Sequence, residues 1–349
     1  MIRRIVLSMF LAVLAVLAVW STNGYSKGFI VKSPRGLDGA EHLYGDYYYT
    51  DSDTFIASTG QMVFPNRRVQ LIEPSGIQSV DQATQGSDWG IQNINAAGFR
   101  KLAAGDSAVA RKIKVAVVDT GGCFSHPDLK AVYAGGFNGI NQRSPANDDN
   151  GHGCHVSGTI AGPENYGVAG GFTTLFAGKF LNSSGSGDIA SAIRATKAAL
   201  DWGAEVVSNS WGGGDGPDEP YEDLIKPAME KGVIFVFAAG NNGANNAAYP
   251  SSIAGVISIA AHNKLNKRSS FSNYGPEVAV SLPGEGIYSS WNNGAYKTIS
   301  GTSMAAPHMA GVIALLLKSG LSPDEILPTI RTQYSTPANW VEIGRVVAP

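Results

Sequence analysis

The run Lys114-Val115-Ala116-Val117-Val118 constrains this chain most: it is continuous, apolar and β-branched, and it ends at Asp119-Thr120-Gly121-Gly122. A strand with one solvated face alternates apolar and polar residues, whereas an unbroken apolar run is expected where both faces are covered, as in a parallel sheet. Val233-Ile234-Phe235-Val236-Phe237-Ala238-Ala239 repeats the pattern and ends at Gly240-Asn241-Asn242-Gly243. From Trp89 onward such strands alternate with helical stretches, so the predicted class is α/β. Ligands of open α/β sheets bind at the carboxyl ends of strands, which puts Asp119 in position for chemistry. Taken singly, Asp119 and Asn241 also read as ordinary turn residues.

Composition removes several functions. With 44% hydrophobic and 15% charged residues the chain is globular and not a disordered tail. Its 26 basic and 28 acidic residues give a net charge of −2, so no basic excess is present to neutralise phosphates and nucleic acid is not an expected partner. Only Cys123 and Cys154 occur, which excludes a disulfide-dense scaffold and a four-cysteine zinc site.

The amino-terminal residues differ in texture. Arg3 and Arg4 precede an apolar run from Ile5 to Trp20, followed by polar Ser21-Thr22-Asn23-Gly24. This is the pattern of a signal peptide over residues 1–24. The run is shorter than the roughly 20 residues that cross a bilayer, with a retained anchor as the alternative. The expected product is secreted, extracellular or periplasmic, without membrane association once the signal is removed. Residues 25–80 carry short β-prone pieces at Phe29-Ile30-Val31 and Val69-Gln70-Leu71-Ile72, too few for a large core of their own. A boundary is expected in the polar run Ser79 to Ser87, with the main domain over 81–349.

Two further segments carry chemistry. His152 lies in Asn150-Gly151-His152-Gly153-Cys154-His155-Val156, and Ser303 in Ser300-Gly301-Thr302-Ser303-Met304-Ala305-Ala306-Pro307 at the start of an apolar helix. Zinc is disfavoured at the first: His152 and His155 stand three apart, not four, without an intervening Glu or a distant third ligand. At the second, a hydroxyl that merely caps the helix is the plain alternative. A helix start also supplies backbone N–H groups and a positive dipole end suited to an oxyanion.

Together, Asp119-Thr120-Gly121, His152-Gly153-Cys154-His155-Val156, Ala239-Gly240-Asn241 and Gly301-Thr302-Ser303-Met304-Ala305-Ala306-Pro307 resemble the four signature segments of subtilisin-like serine peptidases, in the order Asp, His, Ser. The likeness departs at Cys154 and Ser157, neither of which replaces a reacting group. It implies a three-layer fold, a mostly parallel sheet with helices on both faces, preceded by a short α+β or β prosegment. It further implies a serine endopeptidase made as a zymogen, in which Ser303 attacks the peptide carbonyl and His152 carries the proton. Asp119 orients His152, and Asn241 with the Ser303 N–H holds the oxyanion.

The same resemblance makes Ser210, Trp211 and Gly212 one edge of a substrate groove and Gly185, Ser186 and Gly187 the other. An extended protein or peptide substrate then binds as an added strand, with broad specificity. The acidic stretch Asp215 to Asp223 reads as a solvated loop, with a preference for basic substrate residues as the alternative. Gln85, Asp128 and Asn165 match calcium-ligating positions, so a structural calcium ion is expected. Phe29-Ile30-Val31 and Val69 to Pro74 resemble strands of an inhibitory prosegment, the alternative being a permanently attached extension. If Asp119 and His152 meet, Cys123 and Cys154 lie near each other. A disulfide and two reduced thiols both remain open. The rival readings are a catalytically silent scaffold, which would have lost one of Asp119, His152, Asn241 and Ser303, and a membrane-tethered processing peptidase selective for basic sites.

Overall fold

The computed structural model describes residues 25–34, 36–51, 61–71, 80–82, 88–213, 216–337 and 344–347. The signal-peptide expectation over 1–24 and the calcium candidate Gln85 fall outside them.

The chain runs β1 (Tyr25–Lys32), β2 (Glu41–Tyr44), β3 (Tyr47–Thr50), β4 (Met62–Leu71), β5 (Val80–Gln82), α1 (Trp89–Asn93), α2 (Ala96–Ala103), β6 (Ile113–Asp119), β7 (Tyr133–Asn138) and α3 (His152–Ala161). There follow β8 (Thr173–Lys179), β9 (Ser186–Asp188), α4 (Ile189–Trp202), β10 (Val206–Asn209), β11 (Trp211–Gly212), α5 (Glu219–Glu230), β12 (Ile234–Ala238), β13 (Ile257–His262) and β14 (Val278–Pro283). The last elements are β15 (Ile287–Ser290), β16 (Tyr296–Ile299), α6 (Thr302–Lys318), α7 (Pro323–Gln333), β17 (Ser335–Pro337) and β18 (Gly344–Val346).

The main sheet has the order β17-β18-β14-β13-β12-β10-β6-β8-β7 and is parallel from β7 through to β18, with β17 antiparallel at one edge. The apolar run of β6 explains why helices must cover both faces. Val115 and Val117 pack into a core with α2, α3 and α6, while Ala116 and Val118 pack into a second core with α4 and α5. Successive side chains of a strand point to opposite faces, so this strand needs two cores at once. Helix α6 lies almost wholly buried in the first core. Among the described residues no single helix is long and apolar enough to cross a membrane.

The amino-terminal segment is all β where it is described. Strands β2, β3, β1 and β4 form an antiparallel sheet, and β4 continues it onto β11 and β9 of the main domain. Its apolar residues Ile30, Leu43, Tyr47 and Val69 join the second core instead of forming one of their own. The sequence-level boundary is softer than expected, because β5 pairs with β16 of the main domain through Tyr296↔Gln82 and Thr298↔Val80.

Candidate active site

Parallel strands align their carboxyl ends, and three neighbours deliver the site. Strand β10 pairs with β6 on one side and β12 on the other, with Asn209 opposite Val118 and Phe237. The residues that follow are Asp119 after Val118, Ser210 after Asn209 and, three beyond Ala238, Asn241. With strands about 4.8 Å apart, residues distant in sequence arrive within side-chain reach of one another.

His152 opens α3 above the end of β6. The helix start approaches the Asp119 turn so closely that a Cβ on Gly153 would lie 2.3 Å from the Gly121 carbonyl oxygen, so only glycine fits there. The Gly153 N–H donates to Thr120 Oγ1 at 2.8 Å. Asp148 caps this helix from outside it: one carboxylate oxygen accepts the N–H groups of Asn150 and Gly151, the other that of Cys154 at 2.8 Å. An acidic cap at a helix N-terminus also favours the dipole.

His152 Nδ1 donates to Asp119 Oδ1 at 2.8 Å, and both side chains are buried. The direction follows from chemistry, since a carboxylate only accepts. Nδ1 therefore carries the proton, and in the neutral ring the lone pair resides on Nε2. Asp119 Oδ1 also accepts the Thr120 N–H at 2.7 Å.

Ser303 is the second residue of α6, which packs against α3. Its hydroxyl donates to the Ser210 carbonyl at 3.1 Å, and its own carbonyl accepts the Ser210 hydroxyl at 2.9 Å. The helix is not capped by a serine or threonine side chain, so the plain capping alternative for Ser303 does not hold. Instead Asn241 Oδ1 accepts both the Thr302 N–H and the Thr302 hydroxyl, each at 2.9 Å. An N–H cannot accept, so the amide oxygen of Asn241 must face Thr302 and its NH₂ the other way. The Ser303 N–H belongs to the first helical turn, where amides lack intrahelical acceptors.

Both expected groove edges flank one strand. β4 pairs with β11 through Trp211↔Leu71 and Gly212↔Gln70, and with β9 through Val69↔Gly187 and Gln70↔Ser186; the Leu71 N–H donates to the Gly185 carbonyl at 2.8 Å. The chain's own segment therefore lies as an added strand between Ser186-Gly187 and Trp211-Gly212. Trp211 is fully buried, packing edge-on against Phe180, Tyr221 and Phe237, so it contributes backbone to the pairing with β4 and side chain to the core.

Cys123 and Cys154 are disulfide-bonded, their Cα atoms 5.2 Å apart. The bridge joins the segment after Asp119 to the first turn of α3. His155 is a core histidine: its Nε2 donates to the Ile287 and Lys297 carbonyls, and burial pushes its pKa down to about 3, so it stays neutral. Asp128 Oδ2 accepts the hydroxyls of Tyr166 and Tyr296 at 2.7 and 2.8 Å, and Tyr166 directly follows Asn165. Among the described residues no group of three or more His, Cys, Asp or Glu could hold a metal ion.

Of the acidic stretch, Asp215 lies outside the described residues, and from Glu219 onward the rest is the start of α5, where a solvated loop was expected. Asp218 is 2% exposed, while Glu219 and Asp223 meet Lys32 and Tyr47 of the amino-terminal segment. Sequence reasoning missed Asp148, Thr120 and Thr302 as supporting groups. Asp148-Asp149-Asn150 before the Gly-flanked histidine was the available signal for the first.

The subtilase family model matches residues 110–338. The chain is 38% identical over 251 residues to thermostable alkaline protease of Halalkalibacterium halodurans, which covers 71% of this chain and 66% of that protein. It is 37% identical over 268 residues to thermitase of Thermoactinomyces vulgaris, covering 74% and 94%. A solved structure titled as a cold adapted subtilisin-like serine proteinase matches with a TM-score of 0.63 at 31% identity, covering 68% of this chain and 89% of that one. The family model alone spans well over half of the sequence, and the chain belongs to the subtilase family of serine-type endopeptidases.

Proposed function

We propose that this chain is a secreted endopeptidase that cleaves proteins through an acyl-enzyme on Ser303 and is made as a zymogen. His152 Nε2 takes the Ser303 hydroxyl proton as Oγ attacks the peptide carbonyl. Asp119 keeps the ring in the tautomer that leaves this nitrogen basic and stabilises the imidazolium that forms. The oxyanion of the tetrahedral intermediate is held by the Asn241 NH₂ and the Ser303 N–H. Collapse breaks the C–N bond and His152 gives its proton to the departing amine. Water, deprotonated by the same nitrogen, then cleaves the ester and restores Ser303. The observation that carries this reading is the 2.8 Å donation from His152 Nδ1 to Asp119 Oδ1, which fixes the base before substrate arrives.

Main-chain pairing on both groove edges supports broad specificity, because backbone hydrogen bonds make no demand on side chains. The seat of β4 between those edges supports an amino-terminal segment that inhibits by occupying the groove until it is removed. The test compares wild type with Ser303→Ala for hydrolysis of a casein substrate, labelling by a fluorophosphonate, and amino-terminal sequencing of the product. Loss of all three signals in the variant is expected. Wild-type hydrolysis that persists in the variant overturns the mechanism.

Calcium is part of the proposal as a structural ion. Asp128, Asn165 and Gln85 offer hard oxygen donors of the kind it takes, and the Tyr166 hydroxyl ties the Asn165 loop to Asp128. When bound, the ion would hold these loops together and stabilise the fold. Chelation is expected to lower the thermal midpoint, and an unchanged midpoint in excess EDTA refutes it.

A further inference from the structure

Strand β4 shows what the groove accepts beyond the backbone. Residues 67, 69 and 71 share one face of the strand. Val69 points into the core beside Trp211 and Tyr221. Arg67, two residues further out, brings its Nε to 3.7 Å from Asp218 Oδ2, with the two side chains 19% and 2% exposed. The contact is longer than a hydrogen bond, and Asp218 Oδ2 together with Arg67 Nε and Nη1 has no hydrogen-bond partner among the described residues. Asp218 stands at the start of α5, yet the Oδ2 of its buried carboxylate is not used by that helix, whose start takes no side-chain cap from it. Its backbone N–H already donates to the Tyr249 hydroxyl, and its carbonyl accepts from the α5 amides of Tyr221 and Glu222.

We propose that Asp218 is the floor of an arginine-binding subsite at the far end of the substrate groove, occupied in the intact chain by Arg67 and, once β4 has left, by an arginine of the substrate. The register fixes which one. Leu71 lies opposite Trp211, so a substrate extended one residue further lies opposite Ser210, whose carbonyl accepts the Ser303 hydroxyl. If that residue carries the attacked carbonyl, the Arg67 position is the sixth residue before the scissile bond. Arginine suits the site better than lysine, because its fork can meet a carboxylate with two donors. The groups around the carboxylate agree: Arg67 is its one cationic neighbour among those acting on it, Glu222 repels it, and burial pushes its pKa up to about 6.

This inference rests on the peptidase reading and refines its broad specificity, so its test separates the two. Fluorogenic peptides identical except for Arg or Ala at the sixth residue before the cleaved bond are compared on wild type and on Asp218→Asn. Wild type is expected to favour the Arg peptide by about ten-fold or more in kcat/KM, mainly through KM, as for contacts to charged groups. In Asp218→Asn the ratio should fall towards one. A wild-type ratio near one, or a preference that survives the substitution, overturns the subsite.

A second arm needs no catalysis. In the full-length Ser303→Ala chain, hydrogen exchange of β4 is measured for Arg67→Ala, Asp218→Asn and both together. Coupled effects, with the double variant no less protected than the worse single one, support the contact, and additive effects overturn it. If wild type cleaves neither peptide the peptidase reading falls, and this second arm alone decides whether Asp218 recognises Arg67.

Discussion

Reduction of the Cys123–Cys154 bridge should cost this protein a sizeable share of its stability. The bond closes a loop of 31 residues. In the chain-entropy model such a closure removes about 12 cal/mol/K from the denatured ensemble, or about 3.7 kcal/mol at 25 °C. That is about 500-fold in the folding equilibrium. Both sulfurs are buried, so substituting them would add a packing loss to the entropy. Reducing the disulfide instead removes no side-chain heavy atom and so comes nearest to isolating the cross-link. The assay is urea unfolding of the full-length Ser303→Ala chain, which cannot digest its own unfolded molecules, in oxidised and reduced form. A loss of about 3 to 4 kcal/mol is expected. A loss below about 1 kcal/mol would show that loop closure is not the origin of the bridge's effect, because residual structure in the denatured chain would already confine the two residues.

Three other outcomes follow from the geometry. Asn241→Ala should lower kcat by about 10² to 10³ with little change in KM, since its NH₂ would act on the oxyanion and not on the bound peptide; the magnitude is one measured in subtilisin itself. Steady-state kinetics that show a raised KM and an intact kcat would contradict this. Gly153→Ala brings a Cβ to 2.3 Å from the Gly121 carbonyl oxygen and must push the start of α3 away from Asp119, so kcat should fall by about 10² while the fold survives by circular dichroism. Burial pushes the pKa of Asp218 up to about 6, above its unfolded value of 3.8, so its stabilising contribution is complete only below about pH 3 and is lost as pH rises through 6. Relative to Asp218→Asn, the Ser303→Ala chain should therefore lose about 2 kcal/mol in urea unfolding between pH 4 and pH 7.5, and parallel stability curves for the two would refute the shift.

The elements buried on both faces were legible because their composition admits no other placement. The unbroken apolar run of β6 requires cover above and below, and the chain supplies α3 and α6 on one side and α4 and α5 on the other. The proposed reacting residues were legible only as a set, because four short segments in the order Asp, His, Asn, Ser together resemble one family, while Asp119 or Asn241 alone reads as a turn residue. The acidic stretch was misread for the opposite reason. Local polarity says nothing about which distant strand will cover a charge, and Asp218 is buried by β4, whose Arg67 stands 151 positions earlier in the chain.

The sequence by itself determined the fold class and the family resemblance, and singled out Asp119, His152, Asn241 and Ser303 as candidates, because residue type and spacing encode strand burial and chemical competence directly. Tertiary structure alone decided which His152 nitrogen is basic, which way the Asn241 amide faces, that Cys123 bonds Cys154, and that β4 lies between β9 and β11. Each of these depends on donors and acceptors brought together from remote parts of the chain, and a hydrogen bond's direction is set by the partner it meets in space.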